Sequence, residues 1–170
     1  KILAIKGLGG YHLACDATNP PVVAELRRRK KRSDKPFALM CFDQQRLKKH
    51  AVCSREEWKF LTSPACPIVL MSRDKKSPVA WEAAPNQNTL GIMLPYTPLH
   101  LLLLEPEPDY PEILVMTSGN LSDEPIAYRD EDALERLSPL ADGFLIHNRP
   151  MHVRVDDSVV RIFLSKPFPI

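Results

Sequence analysis

The chain has 170 residues, a span that suits one domain, and its 44% hydrophobic and 26% charged residues fill an ordinary globular core and exclude extended disorder. A formal net charge of +2 argues against a protein held mainly by nucleic-acid phosphates. No apolar run reaches the roughly 18 residues of a membrane span; residues 99–104 are apolar apart from His100 but far too short.

Residues 2–5 are apolar and partly β-branched and run into Gly7, Gly9 and Gly10, which predicts a buried strand and then a tight loop. Thr18, Asn19, Pro20 and Pro21 read as a helix start, with capping side chains before prolines that fit a first turn. The helix is expected from about Pro21 to Arg29, with Val22, Val23 and Leu26 facing the core. Pro36 breaks the pattern; residues 37–42 then read as a buried strand and 43–50 as a short helix. Ser54 with Glu57 is a capping box that opens a helix through about Leu61, and residues 67–71 form the next strand. Residues 73–88 are polar and contain proline, which predicts an exposed loop or small insertion. A strand at 89–94 leads through Pro95 to Pro98 into a short apolar helix, and 105–111, with three prolines among acids, is a surface loop. Residues 113–116 are a buried strand and 129–137 a helix with Ala133, Leu134 and Leu137 as its stripe. Strands are expected at 143–146, 152–155 and 158–163. This interleaving predicts a single α/β domain built on a mixed, twisted open sheet flanked by helices. Both ends read as cut, so the expectation is a segment of a longer, multidomain protein.

Cys15, Cys41, Cys53 and Cys66 form no Cys-x-x-Cys pair, which speaks against a zinc site; reduced thiols and a cytoplasmic setting are expected. Cys15 lies beside polar residues but reads first as a small buried side chain.

The strand at 113–116 ends in Thr117, Ser118, Gly119 and Asn120. Small hydroxyl and amide residues at a strand's end suit a ligand, because open α/β sheets bind ligands at that edge. Far upstream, residues 27–32 are six basic residues in a row. At Arg27, Arg28 and Arg29 the plain reading is a solvated helix end favoured by the helix dipole. If the helix has ended, Lys30 and Arg32 lie on one side of extended chain, with Lys35 following, and three such cations can neutralise a triphosphate. The segment 6–12 is neither a dinucleotide fingerprint nor a Walker loop. Its glycines serve tight turning or a ligand, and His12 either orients a small carbonyl compound beside Lys6 or is structural. His50, His100, His147 and His152 lack metal-ligand spacing and read as structural or exposed. Asp156 and Asp157, before Ser158, either hold Mg²⁺ beside nucleotide phosphates or form a turn.

Together these stretches resemble the YrdC/Sua5 family of ATP-dependent carbamoyl-adenylate-forming domains, whose Lys-x-Arg element with a following Lys and distant Ser-x-Asn fall on Lys30, Arg32, Lys35, Ser118 and Asn120. Residues 6–17, 94–100, 116–125 and 154–159 look like the YrdC-like domain of HypF-type carbamoyltransferases in particular, and the resemblance covers nearly the whole chain. It implies a YrdC-like fold with a basic cavity. ATP and Mg²⁺ would be used to adenylate carbamate derived from carbamoyl phosphate. The product would pass to a C-terminal transferase domain and then to the partner HypE, for the cyanide ligand of [NiFe]-hydrogenase. Acylphosphatase and zinc-finger domains would flank this segment, with zinc confined to them.

In this reading Lys30, Arg32, Lys6 and His12 are catalytic. Lys30, Arg32, Lys35, Thr117, Ser118, Asn120 and Ser158 bind the nucleotide, and Asp156 and Asp157 are candidates for the Mg²⁺-nucleotide. Threonylcarbamoyl-adenylate synthases usually carry an Arg in the strand where this chain has residues 90–94, which hold none. A cation there would suit an amino-acid carboxylate that carbamate lacks, so its absence disfavours that first alternative. Ser33 stands where many relatives have Pro. The second alternative, an RNA-binding module using residues 27–32, is opposed by the low net charge and the absence of an aromatic stacking stripe.

Overall fold

The computed structural model describes residues 1–121 and 124–170; Ser122 and Asp123, inside the expected 116–125 stretch, lie outside the described residues. The strands are β1 (Leu3–Lys6), β2 (Tyr11–Asp16), β3 (Ala38–Cys41), β4 (Ala51–Val52), β5 (Ile68–Arg73), β6 (Thr89–Met93), β7 (Ile113–Ser118), β8 (Gly143–Leu145), β9 (Val159–Phe163) and β10 (Lys166–Pro169). The helices are α1 (Pro20–Arg29), α2 (Gln44–Leu47), α3 (Arg55–Leu61), α4 (Pro98–Leu104) and α5 (Asp130–Leu137), with a 3₁₀ turn at Trp81–Ala83. Among the described residues the strands form one mixed sheet in the order β10-β9-β5-β6-β3-β7-β2-β1-β8, with β4 attached to β5. This is the expected α/β architecture.

Alternation along the strands sends side chains to two cores. Leu13, Leu39, Val69 and Val115 pack with Val23 and Leu26 of α1, Leu61 of α3 and Leu137 of α5. Their neighbours Ala14, Met40 and Leu114 point to the other face, where Leu104 of α4 packs. Central strands covered on both faces must be apolar throughout, which explains why β7 is buried from Ile113 to Thr117. The helix starts follow local chemistry. Asn19 caps α1 by accepting from the Val22 amide ahead of Pro20 and Pro21, and Ser54 and Glu57 form both bonds of a capping box on α3.

Several expectations need correction. Residues 73–88, expected as an exposed loop or small insertion, are exposed only in part. Val79, Ala80, Ala83 and Ala84 are buried, and the Phe37 and Ala80 amides donate to the Ala83 and Ala17 carbonyls at 2.8 Å. The segment's small apolar residues cover α1, a role its polar composition hides. Residues 152–155 form no strand; they are exposed coil fastened by the Val155 amide to the Gly9 carbonyl at 3.0 Å. Leu134 is exposed while Ala133 and Leu137 are buried. Strand β7 runs two residues past Met116, so Thr117 and Ser118 belong to the sheet.

Candidate functional site

The site forms where α1 ends beside the end of β7. Helix α1 terminates at Lys30, and Lys31 turns left-handed with φ 51°. The Arg32 amide bonds back to the Arg27 carbonyl at 3.0 Å and the Lys31 amide to Arg28 at 3.1 Å. That paired closure is a Schellman motif, with Lys31 where glycine is usual. The expected extended Lys30-x-Arg32 geometry is therefore replaced by a tight helix stop, which sends the two side chains to different tasks.

Lys30 is fully buried. Its Nζ donates to the backbone oxygens of Ser118 and Asn120, each at 2.6 Å, and to Asn120 Oδ1 at 3.0 Å. Ser118 Oγ donates to the same Asn120 Oδ1 at 2.8 Å. Burial, with Arg32 and Lys35 adding repulsion against the opposing Asp156, pulls Lys30 down to about 7. Lys30 and the loop after β7, both expected to bind the nucleotide, thus touch directly. Arg32 binds the Lys35 carbonyl through Nε at 2.9 Å and the Pro36 carbonyl through Nη2 at 2.7 Å, above the Phe37 ring.

Lys31, Arg32, Ser33 and Lys35 on one side, and Ser118, Asn120, Glu124 and Pro125 on the other, line a cleft of about 580 Å³ with Asp156 at its edge. Of the expected nucleotide-binding residues, Arg32, Lys35, Ser118 and Asn120 meet there, and Lys30 braces the second wall from beneath. Thr117 is buried in β7 and does not line the cleft. Ser158 lines a neighbouring cleft of about 490 Å³, with Tyr96, Arg149, His152 and Asp157 among its walls. Asp156 borders both clefts.

The two acids of the expected pair have different surroundings. Asp157 accepts from Tyr96 Oη at 3.2 Å and lies 3.3 Å from His12 Nε2. Burial opposes its ionisation, but His12 and Tyr96 outweigh that and hold its carboxyl below the usual range. Asp156 is exposed and, with Glu124, is one of two carboxylates lining the basic cleft, which makes it a candidate for a phosphate-bound Mg²⁺, an ion commonly held by one or two carboxylates plus phosphate oxygens. Among the described residues no cluster of three or more His, Cys, Asp or Glu gathers.

Lys6 is turned elsewhere. Its Nζ binds Asp130 at 2.8 Å and the His147 carbonyl at 3.0 Å, while Tyr11 Oη donates to the other Asp130 oxygen at 2.7 Å. That network ties β1 and β2 to the start of α5, and Lys6, expected as a catalytic residue, is engaged there and does not line the cleft. His12 is buried opposite Ser118 in the β2–β7 register. Its ring lies 5.9 Å from His100, whose edge meets Tyr96 at 4.7 Å. Burial and His12 lower His100 to about 4, so it is neutral at pH 7. Sequence reading missed Tyr96 and His100 as neighbours of His12; the only signal was their place before and within a short apolar helix. Cys15 is buried and its thiol is pushed up to about 12 by burial, which suits a packing residue.

The sequence matches, over residues 1–170, the Sua5/YciO/YrdC family model described as telomere recombination. It is 47% identical over 166 residues to the carbamoyltransferase HypF of Synechocystis sp. (98% of this chain, 21% of the relative). It is 51% identical over 162 residues to the carbamoyltransferase HypF of Rhodobacter capsulatus (95% and 21%). A crystal structure of full-length HypF in a phosphate- and nucleotide-bound form superposes with a TM-score of 0.94 at 46% identity, covering 100% of this chain and 26% of that one. The chain thus spans about a fifth of the length of the curated relatives it matches.

Proposed function

The chain belongs to the Sua5/YciO/YrdC family, and on that premise we propose that it adenylates carbamate with ATP, as one step of a carbamoyltransferase. The observation that carries this reading is the gathering of Arg32, Lys35, Ser118, Asn120 and Asp156 around one cleft. Cations facing hydroxyl and amide groups suit a polyphosphate and the charge that builds on it during transfer.

In the reaction a carbamate oxygen attacks the α-phosphorus. The new O–P bond forms as the bond to pyrophosphate breaks, and that bond's electron pair leaves on pyrophosphate. Arg32 and Lys35 offset charge on the phosphates, while Ser118 and Asn120 present the opposite wall, held by Lys30. Mg²⁺ arriving with the nucleotide would be held by Asp156 and supply further charge neutralisation. The His12 side of the site, one strand away from Ser118, would receive the carbamate end. A sheltered site matters because carbamoyl-adenylate hydrolyses readily in water. In the longer protein, carbamate would come from carbamoyl phosphate through an acylphosphatase domain. The product would go to a transferase domain and on to HypE. Zinc would belong to other domains.

The identity to proteins named carbamoyltransferase HypF favours this over threonylcarbamoyl-adenylate synthesis, as does the absence of a cation in residues 90–94. An RNA-binding role for residues 27–32 is opposed by their engagements: Arg28 and Arg29 pair with Glu25, and Arg29 also with Asp142. ATP–pyrophosphate exchange tests the reading. Exchange is expected with carbamoyl phosphate supplied beside a free acylphosphatase. Exchange that needs threonine plus bicarbonate and ignores the carbamoyl donor would overturn it.

A further inference from the structure

Arg27 sits in the last turn of α1, in the basic run that reads as a solvated helix end, yet its guanidinium is directed into a cage of carbonyl oxygens. Nη1 reaches Arg32 O at 3.2 Å, Ser33 O at 2.7 Å and Lys35 O at 3.3 Å. Nε and Nη2 share Glu82 O at 2.9 and 2.7 Å. The guanidinium carbon lies 4.6 Å from the centroid of the Phe37 ring, which Arg32 also covers at 5.2 Å. One side chain therefore links the 3₁₀ turn at Trp81–Ala83 to three carbonyls of the loop that bears Arg32 and Lys35.

We propose that Arg27 is the positioning residue of the phosphate end: it grips the backbone of residues 32–35 so that the Arg32 and Lys35 side chains line the cleft. The proposal rests on the nucleotide reading for its consequence in catalysis, but the grip itself does not. Two physical effects act together. Carbonyl oxygens repel an incoming phosphate, and turning three of them toward a guanidinium removes that repulsion from the loop's cleft side. A four-residue cationic loop is also entropically costly to hold, and a planar fork with five donors fixes several acceptors at once, where an ammonium on a flexible stem holds fewer. The Ser33 carbonyl makes the shortest of the three loop bonds to Arg27, at 2.7 Å.

The test compares R27K, R27A and R28A in the full chain. Arg28 is on the same helix end, carries the same charge and pairs with Glu25 alone among the described residues. Three readouts are used: ATP affinity by calorimetry, KM and kcat for ATP in pyrophosphate exchange, and amide hydrogen exchange across residues 31–37. R27K is expected to weaken ATP binding and raise its KM about tenfold, with a smaller change in kcat, and to accelerate amide exchange in residues 31–37 while β2 and β7 stay protected. R28A is expected to stay within twofold of wild type throughout. R27K decides the matter if R27A does not fold. Unchanged amide exchange in R27K overturns the grip, and equal losses in R27K and R28A overturn it in favour of general charge. If wild type neither binds ATP nor exchanges pyrophosphate, the adenylation reading fails, while amide exchange still tests Arg27.

Discussion

At the scale of single residues, Lys30 shows most clearly how burial shapes this site. A lysine with no solvent exposure persists only because three oxygens surround its ammonium. Its folded value of about 7 lies below the ordinary 10.5. Between these values the unfolded chain holds a proton that the folded chain has released, so stability contributed by this group rises with pH across that window and is flat below pH 7. The slope approaches about 1.4 kcal/mol per pH unit for a full proton. Lys30→Met is expected to abolish this slope. Urea denaturation of both proteins at pH 6, 7, 8 and 9 checks it: the wild type should gain stability relative to the variant from pH 7 upward. A difference that is constant with pH would show that Lys30 stays charged throughout. The buried Cys15 and Cys41 thiols, both pushed up to about 12, act in the opposite sense above pH 9 but cancel between the two proteins.

At the scale of elements, the end of α1 sets function against stability. Lys31 occupies a left-handed position with φ 51° where glycine has no steric cost. Lys31→Gly is expected to stabilise the fold by about 0.5–1 kcal/mol in urea denaturation, and to weaken ATP binding a few-fold, because Lys31 also lines the cleft. A variant that gains no stability would mean that Lys31's own contacts already offset the strain. This element also shows what the sequence could tell. The N-terminal start of α1, the capping box of α3 and the apolar strands β3, β5, β6 and β7 depend on neighbours in the chain, and they stand where the pattern predicts. Strand β2 was hidden because its His12 and Tyr11 are polar by composition and are buried by Asp157 and Asp130, more than 100 residues away. Strand β10 was hidden because it contains Pro167 and Pro169 and all four of its residues are exposed, which gives it no buried face. In the site, the cations and the Ser118–Asn120 loop could be located from their motif. The direction of each side chain could not, since Lys30, Lys6 and Arg27 are all aimed by distant carbonyls and carboxylates.

At the scale of the whole molecule, the two clefts meet at Asp156, in the coil at residues 149–158, which is held at a few points. The Val155 amide donates to the Gly9 carbonyl at 3.0 Å, the Ile68 amide donates to the Ser158 carbonyl at 2.8 Å, and Asp157 is bound by Tyr96 and set against His12. Gly9 makes the first of these possible by close approach rather than by an unusual backbone angle, since no glycine has positive φ among the described residues. A Cβ at Gly9 would lie 2.7 Å from the Val155 Cβ and carbonyl oxygen and 2.8 Å from its amide nitrogen. Backbone must then move, because no flexible side-chain end can yield. Gly9→Ala is therefore expected to lift the coil around Val155, cost about 1–3 kcal/mol of stability, and speed proteolysis within residues 149–158. Asp156 borders the basic cleft from this coil, so the Mg²⁺ dependence of ATP binding is expected to weaken in the same variant, while the Lys30 bonds to Ser118 and Asn120 persist. Limited proteolysis together with calorimetric ATP titration at several Mg²⁺ concentrations separates the outcomes. Faster cleavage with an unchanged Mg²⁺ response would free Asp156 from the proposed metal role, and unchanged cleavage would show that Gly9 does not hold the coil.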